Sequence, residues 1–490
     1  MAAGRSLHLL IFRGNRHLNI EEDIIQSHGK LSRCSVQFLD FIRSNPDSRK
    51  RANFNLPGMR DDPEKIQPWP TFINRKMREE LKKANHEVCC LIKTLPQRLF
   101  ANNAEAMARY YEIPREIVQY QLEGSNTQHL ENLLARGDFI LSPHGLKCLE
   151  FNITGHLGGW QAAYTESLLL NNSIISKFFH EYGVRTVNEN IMTVLFRHII
   201  EAVFSHFGAN TAEINTLFAF MQKPRWREDS VMDKHLKNLY RSALTQKRST
   251  LRGELQFGGY MEPKLKDGHL FYDGTKLHAL IDLNHGRINH ESFNAFLLNK
   301  LCLFNGPITY ILANKLNLAL LSEHENDDIF NKREQEIIKN FVPWTRKMAA
   351  GTTTYRSGKI ELDQFVRDHK DKLVLKPGDS IAGQDVHIGK YTSNEDWLSL
   401  VKRALGERKW VVQEYLKSLP FLYQWGDNGY SRHNVVWGVF MFGPNYGGAF
   451  VRTLPQDNQK GIINTRQGAM RSVVFEVEES YKINHGKERG

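Results

Sequence analysis

Apolar positions change period several times along the chain, and each change predicts a change of architecture. In residues 1–130 they recur at helical spacing. The run from Arg75 to Ile92 places them on one face, and Pro114 opens a second helical run after Tyr110 and Tyr111, as proline does in a first turn. From Asp138 to Asn152 the period shortens. Two apolar runs flank Ser142-Pro143-His144-Gly145, which carries the turn residues of a hairpin. Between residues 185 and 310, helical runs (191–207) alternate with strand-like ones (277–283), with turns at Asp267-Gly268 and Asp273-Gly274. That alternation predicts a small α/β unit. Residues 312–350 read as helical again, the charged stretch from Ser322 being a solvated loop or helix start. Strands return at 372–376, 410–416, 433–442 and 448–453. The last dozen residues are polar and expected to fray.

Composition narrows this picture only a little. The chain has 490 residues, 41% hydrophobic and 24% charged, which is enough for two to four ordinary globular domains. The five cysteines, Cys34, Cys89, Cys90, Cys148 and Cys302, form no CxxC pair and no zinc spacing. A reducing, cytoplasmic compartment is therefore expected. The short apolar run near the N-terminus is too brief for a secretory signal, and no stretch of about 18 apolar residues predicts a spanning helix. The net charge of +11 suits polyanionic ligands, but the positive residues are dispersed and match no nucleic-acid motif.

Four constellations carry candidate chemistry. Arg136-x-Asp138 and Glu150-x-Asn152 flank the predicted hairpin. Alternate strand residues share a face, so the hairpin would gather three oxygen ligands of the kind magnesium takes, beside an arginine able to pair with phosphate. The strand ending Leu375-Lys376-Pro377 runs into a loop holding Gly378, Gly383 and Gly389. Its amides could approach a polyphosphate closely, although the pattern is neither a P-loop nor GxGxxG. Gln413 and Glu414 interrupt an apolar strand and could line an adenine pocket. A glycine-rich turn at Asn445–448 leads into a strand reaching Arg452, which could face a transferring phosphoryl group. Each has a plain alternative: a charged surface hairpin, a strand and turn, a half-buried strand, a salt-bridging arginine.

In their order, these residues resemble the circularly permuted ATP-grasp ligases, of which glutathionylspermidine synthase is the best-known relative. Arg136-x-Asp138 followed by Glu150-x-Asn152 looks like that family's metal hairpin, and Asn314-Lys315 looks like its Asn-Lys helix. Leu375-Lys376-Pro377, Gln413-Glu414 and Asn445 through Arg452 look like the rest of its nucleotide site, and Pro343-Trp344-Thr345-Arg346 also looks familial. The metal motif precedes the lysines, which is the sense of the permutation. The resemblance implies an α/β (α+β) chain with a circularly permuted ATP-grasp fold, a pre-ATP-grasp α/β unit and a helical N-terminal region. The implied domains are a helical region at 1–130, the metal hairpin with the α/β unit at 131–310, nucleotide-binding lobes at 311–478 and a polar tail at 479–490.

The implied activity is ligation of a carboxylate to an amine through an acyl-phosphate, with ATP and Mg2+. Asp138, Glu150 and Asn152 would hold the metal. Lys315 and Lys376 would grip the phosphates together with the Gly383 loop, Gln413 and Glu414 would line the adenine and ribose pocket, and Arg136 and Arg452 would stabilise the transferred phosphoryl group. The partners implied are small-molecule or peptide carboxylates and amines, with no nucleic acid and no membrane; a homodimer is left open. Ser380-Ile381 stand where the relatives carry Gly-Arg, and Asp385 where they carry Asn, so the reaction carries over and the substrates do not. A non-catalytic nucleotide-binding protein and an ATP-dependent phosphotransferase remain the alternatives.

Overall fold

Asn74 starts the longest helix, Arg75–Phe100, by accepting the Met77 amide and so satisfying one of the donors a helix start leaves bare. Met77, Leu81, Ala84, Val88, Leu91, Ile92 and Leu95 are buried along it. Each fully buried large side chain contributes about 1.5–3 kcal/mol of transfer free energy. The computed structural model describes residues 20–49, 66–125, 127–222, 230–380, 385–426, 429–458 and 461–479. It is a mixed α/β structure with several sheets.

The long helix packs against a seven-stranded sheet. In spatial order its strands are Thr71–Ile73, Met470–Glu476, Asn445–Pro455, Gly429–Phe442, Leu134–Ser142 and Gly145–Ile153, with Phe421–Trp425 also paired to Gly429–Phe442. Among these strand pairings, that of Thr71–Ile73 with Met470–Glu476 is parallel and the others are antiparallel. The main core draws on helices before residue 130, on the hairpin, on residues 308–342 and on strands after 420.

Two smaller sheets flank this one. A parallel four-stranded sheet (Cys302–Phe304, Ala279–Asp282, Thr216–Phe220, Leu255–Gly259) packs with helices Ile191–Phe207 and Val231–Lys247. Asn305, just past its edge strand, clamps the start of the hairpin: its side chain accepts the Leu134 amide at 3.1 Å and donates to the Leu134 carbonyl at 2.9 Å. An antiparallel four-stranded sheet (Thr345–Lys347, Trp410–Glu414, Leu373–Pro377, His387–Ile388) is backed by helices Leu362–Asp368 and Asn394–Glu407 through a core containing Trp397 and Trp410.

The predicted hairpin is present, with strands Leu134–Ser142 and Gly145–Ile153. The predicted helical stretch 312–350 is corrected. It breaks into helices Leu316–Glu323 and Lys332–Phe341 and then becomes the strand Thr345–Lys347. Pro343 disfavours helix in the residue before it, and Arg346 locks the strand by donating to Ser322 Oγ and to Thr353 and Thr354. The strand Thr71–Ile73 inside the helical N-terminal region is a second departure; three residues are too few to show a period. Gly383, Ile381 and all but the first residue of the expected tail lie outside the described residues. Among the described residues, no helix is long and apolar enough to cross a membrane.

Candidate active site

Asp138 lies at the centre of the charged cluster. In the hairpin Arg136 stands opposite Asn152 and Asp138 opposite Glu150, so all four share a face. Asp138 is fully buried, and both of its oxygens accept charge-assisted bonds. Arg136 donates from Nε to Oδ1 at 2.8 Å and from Nη2 to Oδ2 at 3.0 Å, while Arg452 donates from Nη2 to Oδ2 at 2.7 Å. Asn152 adds its Nδ2 to Oδ2 at 3.2 Å. Burial pushes the carboxyl up, but Arg136 and Arg452 outweigh it and hold it well below the usual carboxylate range.

Arg452 reaches Asp138 across the intervening strand, Gly429–Phe442. There Gly438 lies between Asp138 on one side and Phe450 on the other. A Cβ on Gly438 would stand 2.4 Å from the Phe450 ring and 3.1 Å from Arg136 Cδ. The absent side chain is what lets both arginines converge over that ring, their guanidinium carbons 5.6 and 6.0 Å from its centre. A third arginine, Arg471, lies 5.7 Å from the same ring.

Two lysines approach from the other side. The hairpin register slips between Asp138 and Phe139, which leaves Leu149 as the extra residue of a bulge. Lys376 Nζ donates to the Leu149 carbonyl at 2.7 Å and to Gln413 Oε1 at 2.8 Å. Burial pushes Lys376 down to about 8, against the pull of Glu150. Lys315 Nζ stands 3.8 Å from Glu150 Oε2 and donates to the Ser380 carbonyl. Its backbone amide bonds the Gly378 carbonyl at 2.9 Å. That approach needs a glycine, because a Cβ on Gly378 would meet Asn314 Oδ1 at 2.5 Å.

Gln413 is bound at both ends of its side chain: Oε1 accepts from Lys376, and Nε2 donates to Thr345 Oγ1 at 3.1 Å. Its side chain thus orients the lysine, and Thr345, from the Pro343–346 stretch, completes the chain of bonds. Glu414 lies next along a slot of about 130 Å³, whose apolar walls include Ile140, Val374, Ile388 and Val436 and whose end holds Lys376, Asp138 and Arg452. A larger cleft of about 370 Å³ opens beyond, lined by Arg136, Asn152, Lys315 and Arg471 among others. Glu150, Arg452 and Asn464 line both cavities, so the two meet at the charged cluster.

Of the sequence-predicted residues, Arg136, Asp138, Glu150, Asn152, Lys315, Lys376, Gln413, Glu414 and Arg452 therefore come together at this junction. Arg136, Arg452, Lys315 and Lys376 gather around Asp138 and Glu150; with Arg471 and Asp379 in the cleft and Glu414 in the slot, five cationic groups meet four carboxylates, a small positive excess that suits a polyanion. Among the described residues, no three His, Cys, Asp or Glu side chains gather as a metal site. Of the expected oxygen set, Glu150 and the Asn152 side-chain carbonyl suit a hard divalent cation that shares its shell with phosphate, whereas Asp138, also expected to hold the metal, has both oxygens taken by Arg136, Arg452 and Asn152. Asp138 and Glu150 are in register, and Asn152 presents its amide to the same face.

Sequence reasoning missed Arg471, Gln161, His156 and His285, which also line the cleft. Gln161 belongs to no pattern. His285 follows a strand end, Asp282, whose buried carboxylate accepts the amides of Asn284 and Gly286 and so fixes the turn carrying the histidine. Burial raises Asp282 to about 6.

No family model matches the chain, and no curated protein matches it. Among solved structures, the chain is similar to a provisionally named gamma-glutamylcysteine synthetase from Methylobacillus flagellatus KT. The TM-score is 0.38 with 11% identity, covering 81% of this chain and 88% of that one. A likeness that slight carries no argument about chemistry.

Proposed function

We propose that the protein is an ATP- and magnesium-dependent carboxylate–amine ligase of the circularly permuted ATP-grasp type. One observation carries the reading: an apolar slot and a polar cleft meet where four cationic side chains surround two carboxylates and an asparagine. A nucleotide laid in the slot, base toward Glu414 and Leu416, would bring its γ-phosphate to that meeting point. Glu150 and the Asn152 side-chain oxygen would hold Mg2+ there, while Asp138 keeps the arginines in place, and the ion would neutralise charge on the phosphate oxygens.

The chain's own groups do the rest. Lys376 and Lys315 fix the phosphates, and Gln413 sets the direction of Lys376. A substrate carboxylate in the cleft attacks the γ-phosphorus. The bond from phosphorus to the bridging oxygen breaks, and ADP leaves with its electron pair. Arg136 and Arg452, already aligned by Asp138, stabilise the charge that spreads over the transferred group without having to reorganise. An amine then attacks the acyl carbon, forming the C–N bond. The C–O bond to phosphate breaks, phosphate leaves, and the amine gives up a proton.

The test is nucleotide product analysis with ATP, Mg2+, hydroxylamine and pooled amino acids and small peptides. ADP together with a hydroxamate is expected. AMP and pyrophosphate would mean adenylation and defeat the reading. Glu150→Gln should slow ADP release at least a hundredfold, a loss in the range seen for a removed electrostatic group.

A further inference from the structure

Two histidines meet in the wall of the 370 Å³ cleft, each brought there by a tight piece of backbone. His156 follows the strand that carries Glu150 and Asn152, four residues beyond the latter. Four extended residues span at most about 14 Å. Here the Thr154 hydroxyl accepts the His156 amide at 3.2 Å and bends the path. The next carbonyl, that of Leu157, accepts Arg136 Nη1 at 2.6 Å. His156 is therefore one residue from the anchor of an arginine that would hold the acyl-phosphate.

His285 comes from the end of the parallel sheet. Its φ of +52° lies in the left-handed region, which costs a side chain free energy unless its surroundings impose it. Asp282 imposes it, accepting the Asn284 amide at 2.7 Å and the Gly286 amide at 2.5 Å. Loop and turn then press directly on each other. A Cβ on Gly155 would collide with the Asp282 carbonyl oxygen and stand 2.9 Å from Ile281 Cγ2. The two imidazole centres end 5.6 Å apart, and both rings line the cleft with Arg136 and Arg452. Both keep open surface, His156 being exposed and His285 partly buried. Burial, His156 and Arg287 all push His285 below the ordinary histidine value, so its imidazole is neutral at pH 7 and able to take a proton.

We propose that His285 is the general base of the amide-forming step, and that the amine enters along the histidine-lined side of the cleft. The assignment rests on the ligase reading above and gives a destination to the proton that the amine sheds. The nucleotide would fill the slot, so the cleft is the route left to the nucleophile. A neutral amine attacks the acyl carbon. The C–N bond forms, the C–O bond to phosphate breaks, and phosphate leaves with the electron pair. The amine's proton passes to an imidazole nitrogen of His285 and from there to water, which the exposed His156 side of the pair admits.

The experiment compares two products made by the wild type and by His285→Gly, a change that suits the left-handed turn and keeps the fold. ATP, Mg2+ and the pooled acids are supplied with ammonium, ethanolamine, amino acids and small peptides as amine probes. Amide formation at pH 7 should fall at least a hundredfold, in the range that loss of a general base produces. Hydroxamate formed with hydroxylamine, a nucleophile strong enough to react without a base, should stay within threefold, because the acyl-phosphate still forms. Added imidazole should fill the space left by the side chain and restore amide formation at least tenfold. Amide formation within threefold of the wild type, equal losses of amide and hydroxamate, or a loss that imidazole leaves unchanged would overturn the assignment. Wild-type protein that forms no hydroxamate from ATP, acid and hydroxylamine would instead remove the ligase reading, and this base with it.

Discussion

At the scale of single residues, the site is built on burial of charge, and that has measurable consequences. Asp138 is fully buried between two guanidinium groups. Asp138→Asn leaves both arginines facing a neutral amide, and breaking a buried pair in this way costs about 3–5 kcal/mol. Urea denaturation should show that loss together with abolished turnover; a variant as stable as the wild type would mean that the arginines are held by other contacts. Lys376 gives a pH signature. Its folded value is about 8, against 10.5 for an ordinary lysine. Between those two values the unfolded chain binds the extra proton, so this residue adds stability as pH rises through the window. Relative to Lys376→Met, the wild type should gain up to about 3 kcal/mol between pH 7.5 and 10.5. A difference that stays flat with pH would show that the ammonium is not penalised by burial. The charged residues of the cluster were legible in the sequence because their types and spacings carry chemistry. Arg471, His156 and His285 were not, because no local pattern shows that segments so far apart in the chain close on one cleft.

At the scale of elements, the hairpin was legible and its bulge was not. Alternation over Leu134–Ser142 and Gly145–Ile153 fixes which side chains share a face, and the turn residues mark the bend. The one-residue slip that offers the Leu149 carbonyl to Lys376 depends on the neighbouring strand and on packing, which no local pattern encodes. The central strand Gly429–Phe442 makes a similar point. It reads as an ordinary apolar strand, yet Gly438 is the gap through which two arginines converge. Gly438→Ala would press on the Phe450 ring and Arg136. Overpacking of this kind costs about 1–3 kcal/mol, and the Asp138–Arg136 alignment should loosen. The expected outcome is a kcat at least tenfold lower in a protein that still folds, measured by ADP release beside a urea melt. Normal kcat would show that the arginines do not need that gap. The lost helix after Pro343 shows the opposite weighting: the residue pattern favoured helix, and tertiary bonds from Arg346 to Ser322, Thr353 and Thr354 set a strand.

For the whole molecule, the slot lies between two sheets, with Ile140 and Val436 on one wall and Val374 and Ile388 on the other. A ligand that fills it joins the two sheets and stabilises only the folded state. ATP with Mg2+ at a hundred times its Kd should add about 2.7 kcal/mol, seen as a rise in Tm that ADP matches only in part. No rise at millimolar ATP would show that the slot takes no nucleotide. The mixed α/β class and the small α/β unit were legible as alternating periods; the parallel pairing of that unit and the order of strands in the large sheet were not, since pairing partners lie far apart in the chain. The pairing of Thr71–Ile73 with Met470–Glu476 takes this to its limit. The first strand of the sheet waits for a partner made roughly 400 residues later, which at ribosomal speeds is roughly 20–80 s. Until then the apolar face of the early helices has no finished sheet to lie on, so a nascent chain stalled before residue 470 should be a client for chaperones, with this edge of the sheet closing only as its last strand is synthesised.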